Sequence, residues 1–195
     1  MENEAVKKFD VENLLKGLAA GLVGGLVAAA LMNQFQKVLG KILQGEEESH
    51  GAQSLQEGSP EHGIGRALYE KGKDDPEDDA AERTANAVLV GLTGRELTKE
   101  EKGVGGTAFH YAFGASMGAV YGAAADVLPA VTVGAGVPYG ALIWLGADEG
   151  VVPLIGLSKT PEKYPASVHA SSLAAHLVYG LSLEMTRKAV RKLLL

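Results

Sequence analysis

The chain has 195 residues, 46% of them hydrophobic but only 6% aromatic, with 26 glycines, no cysteine and a formal net charge of −6. An acidic balance without a basic stripe argues against nucleic acid as a partner, because neutralisation of phosphates by Lys and Arg dominates that affinity. The absence of cysteine excludes disulfides, thiolate metal sites and a Cys nucleophile. A mean hydropathy of +0.05 resembles that of a soluble domain, but it averages two unlike parts. Twelve of the 24 acidic residues lie between Glu46 and Glu82, whereas four stretches of about 20 residues each carry no Asp, Glu, Lys or Arg.

In chain order, residues 1–44 comprise an N-terminal segment and a first predicted span at 17–36, "GLAAGLVGGLVAAALMNQFQ", between Lys16 and Lys37. At 1.5 Å per residue, about 20 residues cross a hydrocarbon core of about 30 Å. The alternative is a cleaved signal peptide, but the apolar run is longer than a typical signal core and no small-residue cleavage site clearly ends it. Residues 45–97 form an acidic polar loop. Its "GEEESHGAQSLQEGSPEHG" and "KGKDDPEDDAAE" predict poorly ordered or surface-hugging chain, with His50 and His62 solvated. Within it, 63–71 is a weak helix and 80–92 a better one, lying on the membrane surface or against the bundle.

Residues 98–195 form a three-helix membrane region. Thr98-Lys-Glu-Glu101 is a capping box, in which the threonine side chain accepts from a first-turn amide while the glutamate reaches back. The second span follows at 103–125. The third is expected at 127–147, kinked by Pro138 and ended in water by Asp148 and Glu149. The fourth occupies 164–183.

Glycine costs about 1 kcal/mol relative to alanine inside a helix, yet it recurs at four-residue spacing in these spans. Gly17, Gly21 and Gly25 share one face of the first, Gly114, Gly118 and Gly122 one face of the second, and Gly136 and Gly140 one face of the third. In a bilayer, where no hydrophobic drive pulls helices together, small residues four apart let backbones approach closely. The expected fold is therefore all-α, an integral membrane bundle of four transmembrane helices packed through Gly-xxx-Gly faces. Lys7, Lys8 and Lys16 before the first span, and Arg187, Lys188, Arg191 and Lys192 after the last, put both termini in the cytoplasm, although Lys37, Lys41, Lys159 and Lys163 count against this.

The run "FHYAFGASMGAVYGAAADVLP", then "DEGVVPLIGLS" and "SVHASSLAAHLVYGLSLEMTRKAVRK", resembles the YagU-like family of multi-pass inner-membrane proteins, a domain of unknown function. His110, Pro153, Gly156, His176, Glu184 and Arg187 stand at the matching places. The resemblance covers mainly residues 98–192 and implies a multi-pass protein of the bacterial inner (cytoplasmic) membrane. It carries over no catalytic role and no cofactor.

Chemistry must then come from polar groups within the spans, since ionisable side chains at membrane depth usually face a bundle interior or cavity. Antiparallel threading brings His110, His169 and the Asp148-Glu149 pair toward one surface, with Asn33 and Gln34 beside them and His176 two turns deeper than His169. Such a set would bind zinc, iron or manganese, form a proton relay, or simply hydrogen-bond across the bundle. His169 and His176 lie about 10 Å apart along a helix axis, too far to share one ion easily. Glu184 is expected to pair with Lys188 and Arg187 in a solvated helix-end bridge. Three functions follow. The first is a non-enzymatic structural or accessory component, partnered by the bilayer and by itself or other membrane subunits. The second is a proton-linked transporter or channel using the histidines, and the third a histidine-ligated metal or haem protein.

Overall fold

A computed structural model describes residues 11–44, 62–70, 75 and 78–194. Residues 45–61 of the acidic loop, His50 included, lie outside these residues, as do 71–74 and 76–77. The described chain is entirely helical and turn. Its long helix α1, Val11–Gln44, extends beyond the expected span at both ends to about 50 Å. Among the described residues, one helix, over Val11–Ile42, is long and apolar enough to cross a membrane.

The face that α1 buries is made of small residues. Gly17, Ala20, Gly21, Gly24, Gly25, Ala28, Ala29 and Met32 point inward, while Leu22, Val23, Leu26, Val27 and Leu31 point outward. A surface helix of a soluble protein shows the reverse pattern. Helix α2, Gly63–Glu70, is short. Helix α3, Ala80–Thr93, starts at a capping box formed by Asp79 and Glu82 and ends at Gly94, whose φ of 70° suits the left-handed C-cap.

Helix α4, Lys99–Val127, begins where the sequence predicts. The Thr98 hydroxyl accepts from the Glu101 amide at 3.3 Å, and the Glu101 carboxylate accepts from the Thr98 amide at 2.9 Å. It packs along α1 in antiparallel register. A Cβ on Gly21 would overlap the Gly118 carbonyl, one on Gly25 the Gly114 carbonyl, and one on Gly122 the Gly17 carbonyl.

The third helical unit departs from expectation. The chain leaves α4 through a 3₁₀ turn at Pro129–Thr132, and Gly134, Ala135 and Gly136 then all adopt positive φ. Helix α5, Val137–Ile143, starts only there, with Pro138 in its first turn. At that position the missing N–H forfeits no helical bond, so Pro138 opens a helix and does not kink one. The helix widens to π geometry over Trp144–Val151 and closes as α6, Val152–Leu154. Asp148 and Glu149 therefore lie inside a continuous helical rod, residues 137–154, and do not end it.

Helix α7, Ala166–Leu193, completes the fold. A Cβ on Gly140 would overlap the His176 carbonyl, and Gly136 and Gly180 meet in the same way. Helix α7 also packs on α1, where a Cβ on Gly24 would touch Leu183 at 3.0 Å. These registers make α1 and the rod run one way and α4 and α7 the other. The core they enclose contains Ala28, Ala29, Met32, Tyr121, Ala175, Tyr179 and Leu183. Two tyrosines tie it to α4, Tyr179 donating to the Gly114 carbonyl at 2.6 Å and Tyr139 to the Met117 carbonyl at 2.7 Å.

Candidate functional site

The π-helical stretch is central to the site. Its i→i+5 bonding turns the chain less per residue than an α-helix, and such insertions are frequent at functional positions. Here two successive carboxylates, Asp148 and Glu149, both face α7. On α7 the spacing of His169, Ser172 and His176 puts the three on one stripe.

Two carboxylate–histidine pairs result. Glu149 Oε1 lies 2.6 Å from His169 Nδ1, and the side chains are 13% and 24% exposed. Deeper in, Asp148 Oδ2 accepts from the Ser172 hydroxyl at 2.8 Å and lies 3.8 Å from His176 Nε2. Each imidazole holds a backbone carbonyl with its other nitrogen, His169 that of Pro161 at 3.0 Å and His176 that of Ser172 at 2.9 Å.

His110 of α4 lies within electrostatic reach of His176, Asp148 and Asp79, and its buried Nε2 has no hydrogen-bond partner among the described residues. Asn33 approaches the same end of the bundle, its amide 3.4 Å from the Tyr111 hydroxyl. No group of three or more His, Asp or Glu side chains among the described residues is arranged to hold a metal ion. His62 is exposed at the start of α2.

A second polar layer at this end is not anticipated from the sequence. Helix α3 folds back on α4, and its Arg83, fully buried, donates to the Leu157 carbonyl at 3.0 Å and to the Asp75 carbonyl at 3.3 Å. Lys102 pairs with Asp78, both nearly buried. Asn86 accepts from the Leu97 amide at 3.0 Å. Burial pushes the Glu82 carboxyl up, against the opposing pull of the Asp79 amide and Lys102. The signals were present: Asp79-Ala-Ala-Glu82 is a capping-box pattern, and Arg83 and Asn86, three apart, share a helix face.

The opposite end carries its own ionic cluster. Glu184 is 1% exposed and is bound by Arg187 at 2.6 and 3.0 Å and by Lys188 at 3.2 Å. This is a buried bridge, where the sequence suggested a solvated one, because Gly136 and Gly24 let the rod and α1 close over it. Arg191 pairs with Asp126 at 3.2 Å.

Together these features define an all-helical bundle of long helices joined through small residues, with ionisable side chains in its interior. Over residues 92–185, just under half of the chain, it is similar to a family described as "Protein of unknown function (DUF1440)". No curated protein and no solved structure matches it.

Proposed function

We propose that the chain is an integral protein of the bacterial inner membrane, crossing it four times through α1, α4, the 137–154 rod and α7, and acting as a non-enzymatic structural or accessory component. One observation carries this reading, the inversion of polarity across the bundle. Leu26 and Leu31 of α1, Phe109 and Phe113 of α4, Leu142 and Leu145 of the rod and Leu181 and Met185 of α7 are all exposed, whereas Arg83, Lys102, Ser172, His176, Glu184 and Arg187 are buried. Exposed apolar surface on this scale calls for lipid or a partner. The YagU-like resemblance agrees with this location.

The glycine faces are used within the chain, as an internal glycine zipper. A partner subunit, or a second copy, would therefore meet the branched and aromatic outer faces. Because the chain lacks cysteine, single cysteines report topology cleanly. Cysteines at Leu26, Phe113 and Leu142 are expected to resist a water-soluble maleimide until detergent is added, while one at Lys192 reacts, and the protein stays with membranes at alkaline pH. Labelling of all four without detergent would overturn the reading.

A second role is favoured by the carboxylates of the π-helical stretch paired with the histidines of α7, that of a proton-linked transporter or channel. It predicts pH-dependent flux in proteoliposomes that His176→Ala abolishes.

A further inference from the structure

The two carboxylate–histidine pairs share a feature that fixes their proton content. A backbone carbonyl only accepts hydrogen bonds, so His169 Nε2, facing Pro161, and His176 Nδ1, facing Ser172, each carry a hydrogen. In a neutral imidazole the opposite nitrogen is then a bare lone pair. In both pairs that nitrogen faces a carboxylate oxygen. At the 2.6 Å separating His169 Nδ1 from Glu149 Oε1, two lone pairs cannot face each other without a hydrogen between them.

We propose that Glu149–His169 is a proton-binding site holding one shared proton, and that Asp148–His176 is the inner site to which that proton passes. This deepens the proton-linked reading and rests on the same residues. At 3.8 Å the inner pair is about 1 Å too long for a hydrogen bond, so it closes when a proton arrives. The transfer balances simply: the proton leaves the outer pair and binds His176 Nε2 or Asp148 Oδ2, and the emptied Glu149 carboxylate and His169 lone pair draw apart until the outer site is refilled. Exposure falls in the same direction, from 24% at His169 to 9% at His176.

The surroundings complete the path. Ser172 donates to Asp148 Oδ2 at 2.8 Å and so holds the oxygen that lies 3.8 Å from His176 Nε2. His110 of α4, whose buried Nε2 has no hydrogen-bond partner among the described residues, lies within electrostatic reach of His176, Asp148 and Asp79. Tyr164 stands edge-on to the His169 ring at 6.4 Å between centroids.

The test is nuclear magnetic resonance of protein in lipid nanodiscs, with ¹⁵N in the histidine rings and ¹³C in the glutamate carboxyls, read at neutral pH. The expected result is a pair carrying one extra proton, either an imidazolium at His169 beside a carboxylate at Glu149 or a neutral ring beside a carboxylic acid. Glu149→Gln should return His169 to a neutral ring with hydrogen on Nε2. A neutral His169 beside an ionised Glu149 in the unaltered protein would overturn the proposal, as would a ring signal that Glu149→Gln leaves unchanged. Should Glu149→Gln fail to fold, His169→Asn with the Glu149 carboxyl as reporter serves instead, the carboxyl then reading as an ordinary carboxylate. The expected signals without proton flux in proteoliposomes would retire transport and leave the proton site standing.

Discussion

Gly21 and Gly118 approach so closely that a methyl group on either would occupy the space of the other's carbonyl oxygen. Neither obstacle is a flexible side chain, so a substitution must push two helix backbones apart. Gly118→Ala is expected to destabilise the bundle by about 1–3 kcal/mol. Gly91, on the exposed side of α3 where a Cβ would meet no atom within 4 Å, is the control. There alanine should stabilise by about 0.5–1 kcal/mol. Thermal unfolding in a mild detergent compares the two, and equal shifts would contradict the close-packing account.

The Lys102–Asp78 pair should behave as a buried bridge, since its side chains are 11% and 5% exposed. Asp78→Asn leaves an ammonium without its counter-charge, at a cost of about 3–5 kcal/mol. The double variant Asp78→Asn, Lys102→Met removes the stranded charge and should recover most of that loss. Limited proteolysis of the α3–α4 hairpin would follow it, the single variant being cut fastest.

Tyr179 and Tyr139 each reach across to a carbonyl of α4. Replacing either with phenylalanine keeps the ring and removes one hydrogen bond, an expected loss of about 1 kcal/mol. The two losses should add if the helices respond independently, and chemical unfolding of both single variants and the double variant measures this.

The hairpin between α3 and α4 carries a defined acid response. The Arg95 guanidinium, followed by the Thr98 amide, holds the Glu101 carboxyl down at about 2, against an ordinary value of 4.5. A depressed carboxyl stabilises the fold above its unfolded value and loses that contribution as pH falls through the folded one. The cap should therefore persist at pH 5 and fray between about 4.5 and 2. Carboxyl ¹³C shifts of Glu101 report it, and Arg95→Ala should move the titration upward.

The legible parts of the fold were those set by local chemistry. The Thr98–Glu101 cap, the small-residue faces and the apolar run of α1 all depend on near neighbours in the chain. The third helix starts later than its apolar run suggests because the Gly134–Gly136 turn, with three successive positive φ values, shifts the helix start to Val137. Asp148 and Glu149 read as a helix end because two adjacent carboxylates favour water. Their partners, His169 and Ser172, come from a helix some 20 residues on, and only that packing makes a buried π-helical position tolerable. The Glu184–Arg187–Lys188 pairing is legible from helix spacing, but the burial of Glu184 and of Arg83 is not, because it depends on carbonyls and glycines of distant segments.

The rod of residues 137–154 rests chiefly on α7, while α1 and α4 pair with each other. As the chain emerges from the ribosome, α1 and α4 can lock together early, but the rod has no long partner until the final helix is made. Asp148 and Glu149 must then wait, unmatched, for His169 and Ser172. The last helix synthesised is thus the one that commits the ionisable centre, and a chain truncated before residue 166 would retain its first helix pair and lack a finished site.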